Sequence, residues 1–262
     1  MKKKEEAKYF DKEWKEMSTH LKTFLTSSDQ EELHKLRVQI KKLRAMLIFF
    51  EGTSKQHGLL KDFKSVRKIF KYAGHIRDAY TNLQLSKRYN LKNEAFETGQ
   101  QKIIEDGMLE FHNNGKKFIK NINNAYKQLK KQLPKIDNSS IAGYYKMQLE
   151  QIAANLVVSE FTEDMHTNRK LIKILMYNHK LADKALNGSL HLNAAYLNKL
   201  QEAIGKWHDN IVATQLFSSP ELNDKPIVTR INRLNAAVKR NISLLADDFL
   251  KKSTEPLPLS IN

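Results

Sequence analysis

His34, Arg37, Lys41 and Arg44 stand in the stretch LHKLRVQIKKLR (33–44), which holds five basic side chains, one histidine and no acid. With His34 set at zero on a helical wheel, Arg37, Lys41 and Arg44 fall at about 300°, 340° and 280°, an arc of roughly 80°. Arginine offers a planar fork to phosphate oxygens, lysine a mobile point charge, and a histidine at the edge a further donor. The chemistry such an arc can do is anion binding. Leu36, Ile40, Leu43 and Leu47 fall between about 180° and 240°, so the cations border the apolar stripe instead of lying opposite it. Charges beside a seam point into a groove between helices, where their stems can pack. The competing reading is a solvated basic face, which is what a charged helical run more often is.

The signature recurs. His166, Arg169, Lys173 and Leu175 follow His34, Arg37, Lys41 and Leu43 at a constant shift of 132 residues, and Lys180 falls on the same arc. KIFKYAGHIRDAYTNLQL (68–85) faces KLQEAIGKWHDNIVATQL (199–216) at a shift of 131. Two blocks in one order at nearly one offset indicate an internal duplication. The second copy has decayed, with Ile174 and Met176 where Lys42 and Arg44 stood. The helix after the first signature adds Lys64, Arg67, Lys68 and Lys71, of which the second copy keeps only Lys199. Arg77 and His208 occupy matched places in GHIRD and GKWHD and are candidate ligands. The neighbouring Asp78 and Asp209 are expected to pair with cations, and Gly74 and Gly205 to permit close helix contact.

The elements that must position these residues are helical throughout. The chain of 262 residues has nine glycines and five prolines, and no alternating strand pattern competes. Phe10, Trp14, Met17, Leu21 and Phe24 mark a first helix over about 7–25. Asp29 is expected to cap a second over about 30–51, closing at Gly52. A third is expected over 59–89, and a glycine-spotted segment over 93–133 is the hardest to assign. Pro134 and DNSS (137–140) mark a midpoint break. Helices are then expected at 141–158, 162–186, 191–217 and 225–250, with an irregular tail STEPLPLSIN. The expectation is an all-α chain in two pseudo-symmetric halves of about four helices, related by an approximate two-fold.

The formal net charge is +16, which argues for a polyanionic partner and leaves nucleic acid, polyphosphate and anionic membrane open. The halves are unequal, about +13 for 1–133 against +3 for 134–262. The first half should therefore dominate any anion site. With no cysteine there is no disulfide or thiolate site. His57, His112, His179 and His191 lack metal-ligand spacing, no phosphate-cradling glycine loop occurs, and the acids form no Mg²⁺ cluster. Neither a metal nor a cofactor is expected. No stretch approaches the ~20 apolar residues of a membrane span, and the N-terminus lacks a secretory pattern. A cytoplasmic protein is the default.

HKLRVQIKKLR with GHIRD, then HTNRKLIK with GKWHD, resemble the CHAD family, the conserved histidine α-helical domains. Its pattern is His-x-x-Arg followed by paired bases on one helix, then Gly-x-x-Arg/His-Asp, the whole repeated. The likeness spans about 5–250, so one domain over 5–255 is expected, with repeats at 5–133 and 134–255. It implies two four-helix bundles with a basic central groove or pore that binds inorganic polyphosphate, and in some members association with polyphosphate granules. By resemblance, His34, Arg37, Lys41, Lys42, Arg44, His166, Arg169 and Lys173 become ligands. The Glu-x-Glu-x-Lys start of the triphosphatase domain fused to many members is missing. The leading expectation is a non-catalytic polyphosphate-binding module. An RNA- or DNA-binding helical protein is the alternative, disfavoured because only Tyr177 offers an aromatic platform near the arcs. An enzyme acting on phosphorylated substrates ranks third.

Overall fold

The computed structural model describes residues 3–158 and 161–254, all helix and connecting loop. The chain divides into two compact units, Met1–Ile136 and Asp137–Asn262. The division falls three residues beyond the expected midpoint, where the Asp137 carboxylate accepts from the Ser140 amide and hydroxyl and so starts the next helix.

The first unit contains α1 (Lys3–Ser27), α2 (Gln30–Thr53), α3 (Leu59–Asp62), α4 (Lys64–Tyr89), α5 (Glu94–Asn113) and α6 (Gly115–Lys131). The apolar series of α1, Phe10 to Phe24, is buried against α2, whose Leu36, Ile40, Leu43 and Leu47 are buried in turn. Asp29 caps α2 by accepting from the Glu31 amide (3.0 Å), with Glu31 and Glu32 set against the helix dipole. α4 packs on α2 with one flank and on α5 and α6 with others. Three breaks differ from expectation. Gly52 lies inside α2, which runs on to Thr53, and Phe63 separates α3 from α4. Gly99 and Gly107 lie inside α5, and the break comes at Asn114, across which the helical bonds continue. A glycine costs a helix only about 1 kcal/mol relative to alanine, less than the burial of an apolar face returns.

The second unit contains α7 (Asn138–Val158), α8 (Glu163–Ala185), α9 (Ala194–Phe217), α10 (Lys225–Ala246) and α11 (Phe249–Thr254). α8 packs between α7 and α9, α10 lies along α9, and α11 touches α7 and α9. Asn193 and Asp224 cap α9 and α10 through the Tyr196 and Ile227 amides. The expected last helix is thus two, parted at Asp247 and Asp248, where Asp248 adopts a left-handed φ of 49°. Among the described residues the units hold six and five helices, not four each. Ser253 and Thr254 of the supposed irregular tail close α11; the rest of the tail lies outside the described residues.

Candidate anion-binding face

On α2, the long arginine of the signature does not project freely. Arg37 Nη1 donates to the carbonyl oxygen of Phe70 on α4 (3.0 Å), and the guanidinium lies 4.3 Å from the centre of the Phe70 ring. The approach is possible because Gly74 stands one turn further along α4. A Cβ there would lie 2.7 Å from Nη1. The absence of a side chain is therefore a notch that admits the guanidinium to a helix carbonyl, and the aromatic ring supplies a cation–π wall. One donor is spent on the carbonyl, and the rest of the fork is left for another partner.

Four further cations and His34 share this seam. Lys41 Nζ reaches 5.6 Å from the same Phe70 ring. Arg77 lies 4.9 Å from the Tyr80 ring, and its charge bears on both Arg37 and His34. Arg44 lies within reach of Arg67 on α4. Desolvation lowers the pKa of Arg37, offset by Asp78 and reinforced by Arg77. Arg44 is lowered by desolvation and then by Arg67. The ring of His34 is solvent-exposed, yet desolvation, then Arg77, with Lys41 and Arg37, hold its pKa below the ordinary value, against a smaller opposing pull from Glu31. His34, Arg37, Lys41, Arg44, Arg67 and Arg77 are thus gathered on one α2/α4 face whose charges oppose one another.

The remaining first-unit candidates go elsewhere. Lys42 turns toward α1, where its charge acts on the buried carboxylate of Glu13. Gln39, on that same side, donates to Glu13 and Glu16 (2.7 and 2.6 Å). Lys64 and Lys68 line a different groove, between α4 and α6. Lys71 is exposed on α4 between the two flanks.

In the second unit the notch recurs. Arg169 Nε donates to the Gln201 carbonyl (3.2 Å), and a Cβ on Gly205 would lie 3.0 Å from its Nε and Nη2. Gln201 precedes Gly205 by four residues, as Phe70 precedes Gly74. Lys173 is lowered by desolvation and by Arg169, while Asp209 and Glu202 pull it upward. Its Nζ lies 5.8 Å from the Tyr177 ring. His166 and His208 stack at 4.2 Å with 19° between their planes, and His208 Nδ1 is 3.9 Å from an Asp209 oxygen. Lys180 and Lys199 are exposed on α8 and α9. At the 131-residue shift, Arg67, Phe70, Lys71 and Arg77 of the first unit become Asn198, Gln201, Glu202 and His208. Asn198 and Gln201 are joined by a neutral hydrogen bond, and Asn198 donates to Glu202.

Sequence reasoning missed Phe70 and Tyr80, the aromatic walls of the first face. The signal available was an aromatic four residues before a glycine that matches a second glycine in the repeat. It also missed Tyr72, Asn114, Lys117 and Asn121, which join Lys64 and Lys68 in the α4–α6 groove. That juxtaposition joins residues about 50 apart and has no local signature. Among the described residues no helix is long and apolar enough to cross a membrane.

No curated protein matches the chain. Residues 8–103, which carry most of α1, all of α2 to α4 and half of α5, match the family model of the CHAD domain. The match contains the whole α2/α4 face, from His34 to Arg77, and it supports the resemblance to the CHAD family in that part of the chain.

Proposed function

We propose that this protein binds inorganic polyphosphate without hydrolysing it, chiefly through the α2/α4 face of the first unit, with a weaker counterpart on α8/α9. The observation that carries the reading is the convergence of His34, Arg37, Lys41, Arg44, Arg67 and Arg77 on one seam. Cations held this close raise each other's free energy, and a linear anion relieves that cost along its length. The notches pre-position one arginine per unit, so less side-chain entropy is lost on binding. The match of residues 8–103 to the CHAD domain points the same way, through the polyphosphate binding that the family resemblance implies. A cytoplasmic setting, with association to polyphosphate granules, accords with this reading.

Titration of the protein with long-chain polyphosphate, single-stranded RNA and duplex DNA at matched charge and two salt concentrations tests it. Polyphosphate is expected to bind tightest at the higher salt, with affinity rising with chain length. Equal or tighter nucleic-acid binding there would overturn the reading. Release of phosphate on addition of Mg²⁺ would replace a binding module with an enzyme.

A further inference from the structure

α4 carries cations on two flanks, and the α2/α4 face uses only one. On the other flank, Lys64 and Lys68 face α6 across a groove of about 450 Å³, joined there by Lys117, Asn114, Asn121 and Tyr72. α6 runs antiparallel to α4: Phe118 packs on Tyr72 (ring centres 5.5 Å apart), while Gln132 donates to Asp62 just before α4 begins (2.7 Å). No ion pair joins Lys64, Lys68 or Lys117 to an acid among the described residues, and no acid lines the groove. The cations are concentrated without local compensation.

The groove differs in kind from the α2/α4 face. Tyr72 is braced against Phe118 and yet 38% exposed, a large aromatic left open among lysines. On the first face Phe70 is instead occupied by Arg37 and Lys41. Asn121 is half-buried on α6, and Asn114 spends its Nδ2 on the Glu110 carbonyl (2.9 Å), which leaves its Oδ1 to accept. An amide side chain presents the donor–acceptor pair that an adenine edge requires, an open tyrosine presents a stacking surface, and lysines take phosphates. A bare polyphosphate chain has no use for the first two. The volume lies in the range of small-ligand sites.

We propose that the α4–α6 groove is a nucleotide site. It takes a purine nucleoside polyphosphate, with the base stacked on Tyr72 and edged by Asn121, and the phosphates held by Lys64, Lys68 and Lys117. The site is separate from the α2/α4 face and does not depend on that face binding polyphosphate.

Calorimetric titration of the full chain with ATP, tripolyphosphate and adenosine, without divalent cations, tests the assignment. ATP is expected to bind about 10-fold or more tighter than tripolyphosphate, although it carries less charge, because base stacking is worth on the order of 1–3 kcal/mol. Adenosine alone should bind weakly. Tyr72→Ala should weaken ATP about 10-fold and leave tripolyphosphate unchanged, while Tyr72→Phe keeps ATP binding. Lys64→Gln with Lys117→Gln, at two exposed positions, should weaken ATP by a similar factor, whereas Arg37→Ala with Lys41→Ala should not. ATP binding no tighter than tripolyphosphate, or insensitive to either groove variant, would overturn the nucleotide site. Neither result bears on polyphosphate binding at the α2/α4 face, which is read from the Arg37 and Lys41 variant.

Discussion

Arg37 and Arg169 are held alike, each donating to a helix carbonyl beside a glycine, but their surroundings differ. Around Arg37 stand a phenylalanine ring, a second arginine, Arg77, and an exposed lysine, Lys41. Around Arg169 stand Lys173, a neutral amide pair, a glutamate and two stacked histidines. The shared part is steric and backbone-directed, so it survives as long as one glycine and one arginine do. The part that differs is electrostatic, and it is spread over many surface positions that can change singly. Positioning and charge are therefore separable. Both units keep the means to hold an arginine still, but the first surrounds it with several further cations where the second keeps Lys173.

The largest test of that contrast is a pair of double variants. Arg37→Ala with Lys41→Ala should weaken polyphosphate binding about 30-fold, the loss of roughly 2 kcal/mol of charge-assisted contact. Arg169→Ala with Lys173→Ala should cost only about 3-fold by the same calorimetry. The opposite order, with folding intact by circular dichroism, would show that the second unit dominates.

Salt dependence sharpens the comparison further. Each removed cation that contacts phosphate should flatten the plot of log affinity against log salt by about one unit. Two units are expected for the first-unit pair and less than one for the second. Equal flattening would mean that the two faces contact the chain equally.

Gly74→Ala separates holding from charge. The new Cβ would collide with the Arg37 guanidinium and expel it from the Phe70 carbonyl. The gain in helix propensity, about 1 kcal/mol, offsets much of the lost hydrogen bond of about 1.5–3 kcal/mol. Denaturant midpoints should thus fall only modestly, while polyphosphate affinity drops about 5-fold as the arginine is released. Gly205→Ala, with a looser 3.0 Å approach, should do less on both counts. Unchanged affinity in Gly74→Ala would show that the notch does not serve binding.

The smallest effect is protonic. His34 has a folded pKa below its ordinary value, so the unfolded chain binds the proton more readily. Its contribution to stability is therefore nil at high pH and turns unfavourable as pH falls below about 6.5. A bound polyanion counters the repulsion from Arg77, Lys41 and Arg37, raises that pKa and draws a proton in. Titrations near pH 6 in buffers of different ionisation enthalpy should show uptake of up to one proton, absent in His34→Gln. Uptake that persists in the variant would place the titrating group elsewhere.

Much of this was legible because it is periodic. The apolar series of α1 and α2, the Asp29 cap and the basic arc of α2 are local patterns, and local patterns survive translation into a helix. The glycines misled at Gly52, Gly99 and Gly107, because their cost in a helix is small beside that of leaving a face unburied. Lys64 and Lys68 could not be told apart from Arg67 by type or spacing, since a quarter-turn of α4 separates a partner on α2 from one on α6.

The amino-acid sequence by itself determined that the chain is helical, that a basic signature occurs twice, and that the first copy carries more charge. These follow from composition and from the 3.6-residue period, which need no knowledge of neighbours. Only the tertiary structure decided what the glycines are for, why Arg37 and Arg169 are held, and which lysines belong to which groove. A notch exists only when another helix brings a side chain to it, and a groove only when two helices meet. Arg37 and Phe70 are 33 residues apart, and Lys68 and Asn121 further still. No local property of the chain encodes those meetings; they are settled by which apolar faces pack together.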